Sequence, residues 1–142
     1  MSTTRDRGGR LAELTPYDCW ALLAGVQVGR VAWSRPQGPA VVPVNLTLLD
    51  GALWVRTTPD AALVRETIGQ PVSIEVDEID VTTRSGWSVL VLGTAELVVD
   101  QDVPEHLHVL DVWPAGPHLA FVRVSPTQLT GRRLGAAAAA HP

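Results

Sequence analysis

The chain contains no lysine. All 11 of its basic residues are arginines, set against 15 Asp and Glu, for a formal net charge of −4 and a pI near 5.4. Any anion site must therefore use Arg, hydroxyls or backbone N–H groups. The acidic balance and the lack of a basic stripe argue against a nucleic-acid partner. Cys19 is the one cysteine, so an internal disulfide is excluded and nothing points to secretion. Every apolar run is broken by Gly, Asp, Arg or Pro short of membrane-spanning length, and residues 1–10 are polar without an apolar signal core. A soluble, cytoplasmic protein with no membrane partner is expected. The four histidines are scattered: His106 and His108 would face different sides of a helix, His118 and His141 stand apart, and no metal site is expected. There is no Gly-x-Ser-x-Gly elbow and no phosphate-binding glycine loop of the Walker type.

What is present is an apolar, β-rich chain. A hydrophobic content of 46% with 18% charged residues over 142 residues suits one folded domain and not a disordered one. The expected organisation is a disordered arm over 1–10, one domain over 11–134 and a low-complexity alanine tail over 135–142. Thr15-Pro16-Tyr17-Asp18 predicts a helix start, with Thr15 as cap, Pro16 in the first turn and Asp18 at its positive end. Strands are predicted over 28–33, 40–49 and 52–57, the last two joined at Asp50-Gly51, a strong hairpin signal. Thr58-Pro59-Asp60 repeats the helix-start pattern before a short helix over 61–68. A half-buried strand follows over 72–77, then a polar connection over 78–85. A long strand over 87–99 contains Gly93 as a bulge or bend. A weak helix over 103–110 and a rigid loop over 113–117 precede two strands, 118–124 and 128–134, broken at Ser125-Pro126.

Three segments carry candidate chemistry. Arg56-Thr57-Thr58 sits at a strand-to-helix corner. Thr58 as N-cap would turn the N–H groups of Asp60 and Ala61 outward, and Arg56 would add a fork-shaped donor, a combination suited to phosphate. The plainer alternative is a capped surface helix with a solvated Arg. Pro43-Val44-Asn45 interrupts strand pairing, since Pro lacks an N–H. Gly86-Trp87-Ser88 offers a close backbone approach, an aromatic plate and a hydroxyl, although a Trp opening a strand is more often core. Arg132 and Arg133 are adjacent on a strand and so face opposite ways.

The ordered set Val28-Gly29-Arg30-Val31-Ala32, Pro43-Val44-Asn45, Asp50-Gly51, Arg56-Thr57, Glu75-Val76-Asp77-Glu78, Gly86-Trp87-Ser88-Val89 with Gly93, and Thr130-Gly131-Arg132-Arg133-Leu134 resembles the FMN-binding split-barrel family of the pyridoxamine 5'-phosphate oxidase-like superfamily. That superfamily includes small actinobacterial flavin and deazaflavin oxidoreductases. The resemblance implies a mainly β fold, a six- to seven-stranded antiparallel split barrel with a few short helices. It implies a homodimer binding FMN through Pro43, Val44, Asn45, Arg56, Thr57, Thr58, Gly86, Trp87, Ser88 and Arg132, with the Pro43 segment beside the flavin ring and the Gly86 segment completing the site from the other subunit. The implied activity is flavin-dependent hydride or electron transfer to a small-molecule substrate, with no catalytic acid or base identified. Two alternatives stand beside it: a degenerate, non-enzymatic binding module with weak or no FMN binding, and a reductase using the deazaflavin F420. The chain departs from the family pattern after Arg56-Thr57, where Asp60 replaces a Gly and Ala62 replaces the phosphate-binding Lys. Arg84, Arg132 and Arg133 are the candidates to compensate.

Overall fold

The computed structural model describes residues 10–99, 102–104, 107 and 120–135. Within them lie seven strands and two short helices: β1 (Leu11–Glu13), α1 (Pro16–Leu23), β2 (Val28–Trp33), β3 (Ala40–Leu49), β4 (Ala52–Thr57), α2 (Ala62–Thr67), β5 (Pro71–Asp80), β6 (Ser85–Val98) and β7 (Ala120–Leu134). Six antiparallel strands close in the order β7-β4-β3-β2-β5-β6, with β6 returning to β7, and β1 adds outside the ring along the far end of β7. The fold is the expected mainly β split barrel.

Alternation along the strands decides the two faces. Val31, Leu46, Leu53, Val55, Ile74, Val76, Val89, Val91, Val122 and Val124 fill the interior. Side chains of a six-stranded barrel occupy its lumen completely, so a ligand must bind elsewhere. A second, smaller cluster lies on the outside of β4 and β7. There Ala52, Trp54 and Phe121 are covered by Val103 and Leu107.

Local chemistry explains most boundaries. Asp50 and Gly51 adopt φ of 53° and 73°, the two-residue turn that matches strand twist, and join Leu49 directly to Ala52. The Thr15 hydroxyl accepts the N–H of Asp18 at 3.1 Å, and Pro16 occupies the first turn of α1. That helix packs on the end of β7 at Gly131, where a Cβ would stand 2.8 Å from the Cys19 sulfur.

Several expectations are corrected. Leu11–Glu13, which carried no strand expectation, pairs with residues 132–134 as β1. β5 and β6 run to Asp80 and from Ser85, which shrinks the connection to four residues, 81–84; the Asp80 carboxylate accepts the N–H groups of Thr82 and Thr83 at 2.9 and 3.1 Å. β7 is continuous through Ser125-Pro126 and not broken there. The reason is the predicted irregularity at Gly93. The register shifts between Leu92 and Gly93, so Leu92 faces Gln128 while Gly93 faces Pro126, and the missing N–H of Pro falls beside the bulge. A Cβ on residue 93 would lie 2.4 Å from the Ser125 carbonyl oxygen, which excludes larger residues. The weak helix over 103–110, the loop over 113–117, the first residues of the 118–124 strand, all four histidines and the alanine tail fall outside the described residues, apart from Val103, Pro104 and Leu107. Among the described residues no helix is long and apolar enough to cross a membrane.

Candidate functional site

Cross-strand register places the candidate residues on the outer surface of the sheet. Asn45 faces Arg56 across the β3–β4 ladder and Val28 across the β2–β3 ladder. Pro43 faces Arg30, Arg30 faces Glu75, Glu75 faces Leu90, and Leu90 faces Thr130. These five form one row across β3, β2, β5, β6 and β7. Asp77, Ser88 and Arg132 make the row beside it, extended by Glu13 of β1.

The first group is Pro43, Asn45 and Arg56. The Arg56 guanidinium lies 5.9 Å from the centroid of the Phe121 ring, which positions it over the edge of the β4–β7 face. Val44 points inward and is part of the core. Thr57 and Thr58 are half-buried at the strand end. The expected capping geometry is corrected. α2 begins at Ala62, its cap residue is Ala61, and no side chain caps it. The Ala61 N–H is spent on the Thr58 carbonyl at 3.1 Å, closing a turn through Pro59 and Asp60. Thr58 therefore offers a hydroxyl but not a helix N-terminus, and Asp60 precedes the helix instead of lying in its first turn.

Gly86, Ser88 and Arg132 make the second group. Gly86 has φ of 157°, and a Cβ there would lie 2.4 Å from the Glu78 carbonyl oxygen. Its lack of a side chain serves the approach of β5 to β6. Trp87 is 9% exposed and belongs to the core, so its ring is not an open plate. Ser88 and Arg132 line a 310 Å³ cavity with Glu13, Leu90 and Thr130.

One chain does not bring the two groups together. Along the row through β3, β2 and β5, four strand spacings separate Arg56 on β4 from Ser88 on β6, about 19 Å of sheet. The ground between them is charged. Arg30 Nη1 donates to Glu75 Oε1 at 3.1 Å and to Asp77 Oδ2 at 3.4 Å. Burial pushes the Glu75 carboxyl up to about 7, assisted by its hydrogen bond with Asp77 and the Asp77 charge and opposed by Arg30. This array was missed as a site feature in the sequence. The signal was available: Glu75-x-Asp77 in a strand of period two puts both carboxyls on one face. Burial, with the nearby Asp18 charge, raises the Cys19 thiol, as befits an inert core cysteine. Among the described residues no group of His, Cys, Asp and Glu could hold a metal ion.

The surface combines apolar and polar groups. It offers apolar sheet positions at Pro43, Val28 and Leu90, an amide at Asn45, and arginines at either end in place of the absent lysine.

Comparison with known proteins agrees. A family model described as pyridoxamine 5'-phosphate oxidase matches residues 15–133. The uncharacterized protein Rv0080 of Mycobacterium tuberculosis is 35% identical over 130 residues, covering 87% of this chain and 86% of the relative. The FAD binding protein of Mycobacterium smegmatis superimposes with a TM-score of 0.70 at 32% identity, covering 89% of this chain and 100% of that one. An FAD-binding protein of Mesorhizobium loti, mll6688, gives 0.69 at 25% identity, with 89% and 98% coverage. The ordered motifs, the closed six-stranded barrel and a family match from the first helix to the last strand lead to one identification: the chain belongs to the pyridoxamine 5'-phosphate oxidase-like split-barrel family.

Proposed function

We propose that the chain is a flavin-dependent oxidoreductase that works as a homodimer, with each flavin held between the Pro43–Asn45–Arg56 group of one subunit and the Gly86–Ser88–Arg132 group of the other. The observation that carries this reading is the separation of the two groups on the outer face of one barrel, each polar and cationic and neither a complete site. The FAD-binding relatives support a flavin; FMN is the form that the sequence motifs imply.

A bound flavin supplies two-electron transfer, as hydride or as electrons, to a small-molecule substrate. The protein's own tasks are binding, orientation and exclusion of water. Arg56 neutralises a phosphate as a bidentate donor. The Pro43 segment gives the ring an apolar wall where β3 runs beyond the β3–β4 ladder, which begins at Asn45. Ser88 supplies a hydroxyl and Arg132 a second cation.

A specific observation favours one alternative. Ala62 opens α2 where the family carries Lys, and Asp60 stands in the bend before it. A member with a weakened phosphate contact could serve as a binding module without catalysis. The visible spectrum of the purified protein, followed by titration with FMN, FAD and F420, separates the readings. Saturable binding of a flavin supports the oxidoreductase. A colourless protein that ignores all three supports the non-enzymatic module.

A further inference from the structure

The outer face of the barrel is treated unequally by the chain itself. Over β4 and β7, Val103 and Leu107 cover Trp54 and Phe121. Over β2, β3, β5 and β6, apolar side chains stand open: Val41 is 61% exposed, Val28 40% and Leu90 39%. In their midst sits the array of Arg30, Glu75 and Asp77, whose carboxyls are only 36% and 27% exposed before anything covers them.

We propose that this face is where a second copy of the chain docks, and that the Arg30–Glu75–Asp77 array is a proton-operated latch of that contact. The inference rests on the homodimer reading above and adds its regulation. Charge counting supplies the physical reason. One Arg faces two carboxyls. With one shared proton the array is neutral; with none it carries a net charge of −1. Covering a neutral, hydrogen-bonded array costs little, whereas covering an excess charge that has no counter-ion costs much more. Glu75 already keeps its proton to about pH 7 in the single chain, and further burial strengthens that hold. The other groups facing Glu75 do not change this balance. From β2 comes Arg30, from its own strand Asp77, and from β6 only Leu90 opposite and Ser88 beside it. The next charges on this face are Arg132, two strands away, and Glu13 and Arg56, each three strands away on opposite sides. A second copy is the fitting occupant because the surface is self-complementary: across a two-fold axis an arginine of one copy meets carboxyls of the other, with apolar flanks on both.

The test is sedimentation of the full chain, as purified, at about pH 6 and about pH 8.5. Each subunit contributes one proton, so the dimer dissociation constant should rise at least about tenfold across that interval, with a ceiling of about a hundredfold per pH unit. Glu75→Gln leaves Arg30 with Asp77, and Asp77→Asn leaves Arg30 with Glu75. Each array is neutral at both pH values, so both variants should dimerise without pH dependence. Arg30→Gln should weaken the dimer at both pH values. Circular dichroism confirms that each variant is folded. A wild-type dimer with a flat pH response, or variants that keep a wild-type response, overturns the latch while leaving the composite flavin site standing. A monomer at both pH values overturns the latch and the composite site together.

Discussion

Arg56 should divide binding from folding. Its guanidinium stacks 5.9 Å from the Phe121 centroid at a half-buried strand end, so replacement by alanine removes a cation–π contact and aliphatic packing along with the other polar contacts of the guanidinium. At such a site that contact amounts to about 0.5–1 kcal/mol, which lowers the melting temperature of flavin-free protein by roughly 2–5 °C. The loss at the ligand is larger. A charge-assisted hydrogen bond to phosphate contributes about 1.5–3 kcal/mol, so flavin affinity should fall roughly ten- to a hundredfold. No lysine exists to share the load. Arg56→Lys should recover only part of the affinity, because an ammonium cannot form the planar fork. Flavin fluorescence quenching gives the affinity and scanning calorimetry of the flavin-free protein gives the stability. A drop in melting temperature well beyond this range with unchanged flavin affinity would refute the reasoning and make Arg56 a structural residue.

Ala62→Lys restores the family's cation at the first position of α2 and should tighten flavin binding by about tenfold, with Asp60→Gly adding to the gain; equal titration curves for wild type and the double variant would place the phosphate elsewhere. Gly131→Ala drives a methyl to 2.8 Å from the Cys19 sulfur and 3.0 Å from the Ser88 carbonyl, so urea unfolding should report a loss of about 1–3 kcal/mol, partly recovered by adding Cys19→Ala. Stability should fall as pH rises from about 4.3 to about 7, because the unfolded chain releases the Glu75 proton first while the fold retains it. Glu75→Gln should flatten melting temperature against pH over that window, and parallel curves for the two proteins would contradict the assignment.

What was legible in the sequence was what local chemistry decides. Asp50-Gly51 forced a two-residue turn, so β3 and β4 have the expected bounds. Thr15 and Pro16 fixed the start of α1. Gly93 marked the irregularity in β6. The misreadings came where a distant strand outvoted a local signal. Pro126 looked like a break, but β6 shifts its register beside it and β7 continues. Leu11–Glu13 is too short to show a period, and only pairing with the end of β7 makes it a strand. Thr58 carried the residue type of a cap, but Pro59 and Asp60 form a turn that moves the cap three residues on, to Ala61. At the candidate site, residue types were readable and partners were not. Arg30, Glu75 and Asp77 are 45 and 47 residues apart in the chain and meet only because β2 lies beside β5.

The closure of the barrel also explains why its chemistry is shared out as it is. A lumen packed with valine and leucine has no room for a cofactor, so every polar candidate is pushed to the outside of the sheet. A single outer face is convex, and a convex surface cannot surround a flat ring or exclude water from it. Part of that face is closed by the chain's own Val103 and Leu107; among the described residues nothing closes the part bearing Pro43, Asn45, Ser88 and Arg132. On the homodimer proposal the missing wall comes from a second copy, which presents the complementary half of the same residues. On this reading assembly and cofactor binding are one equilibrium: whatever weakens the contact between copies also weakens flavin binding, and saturating flavin strengthens the contact by the same factor.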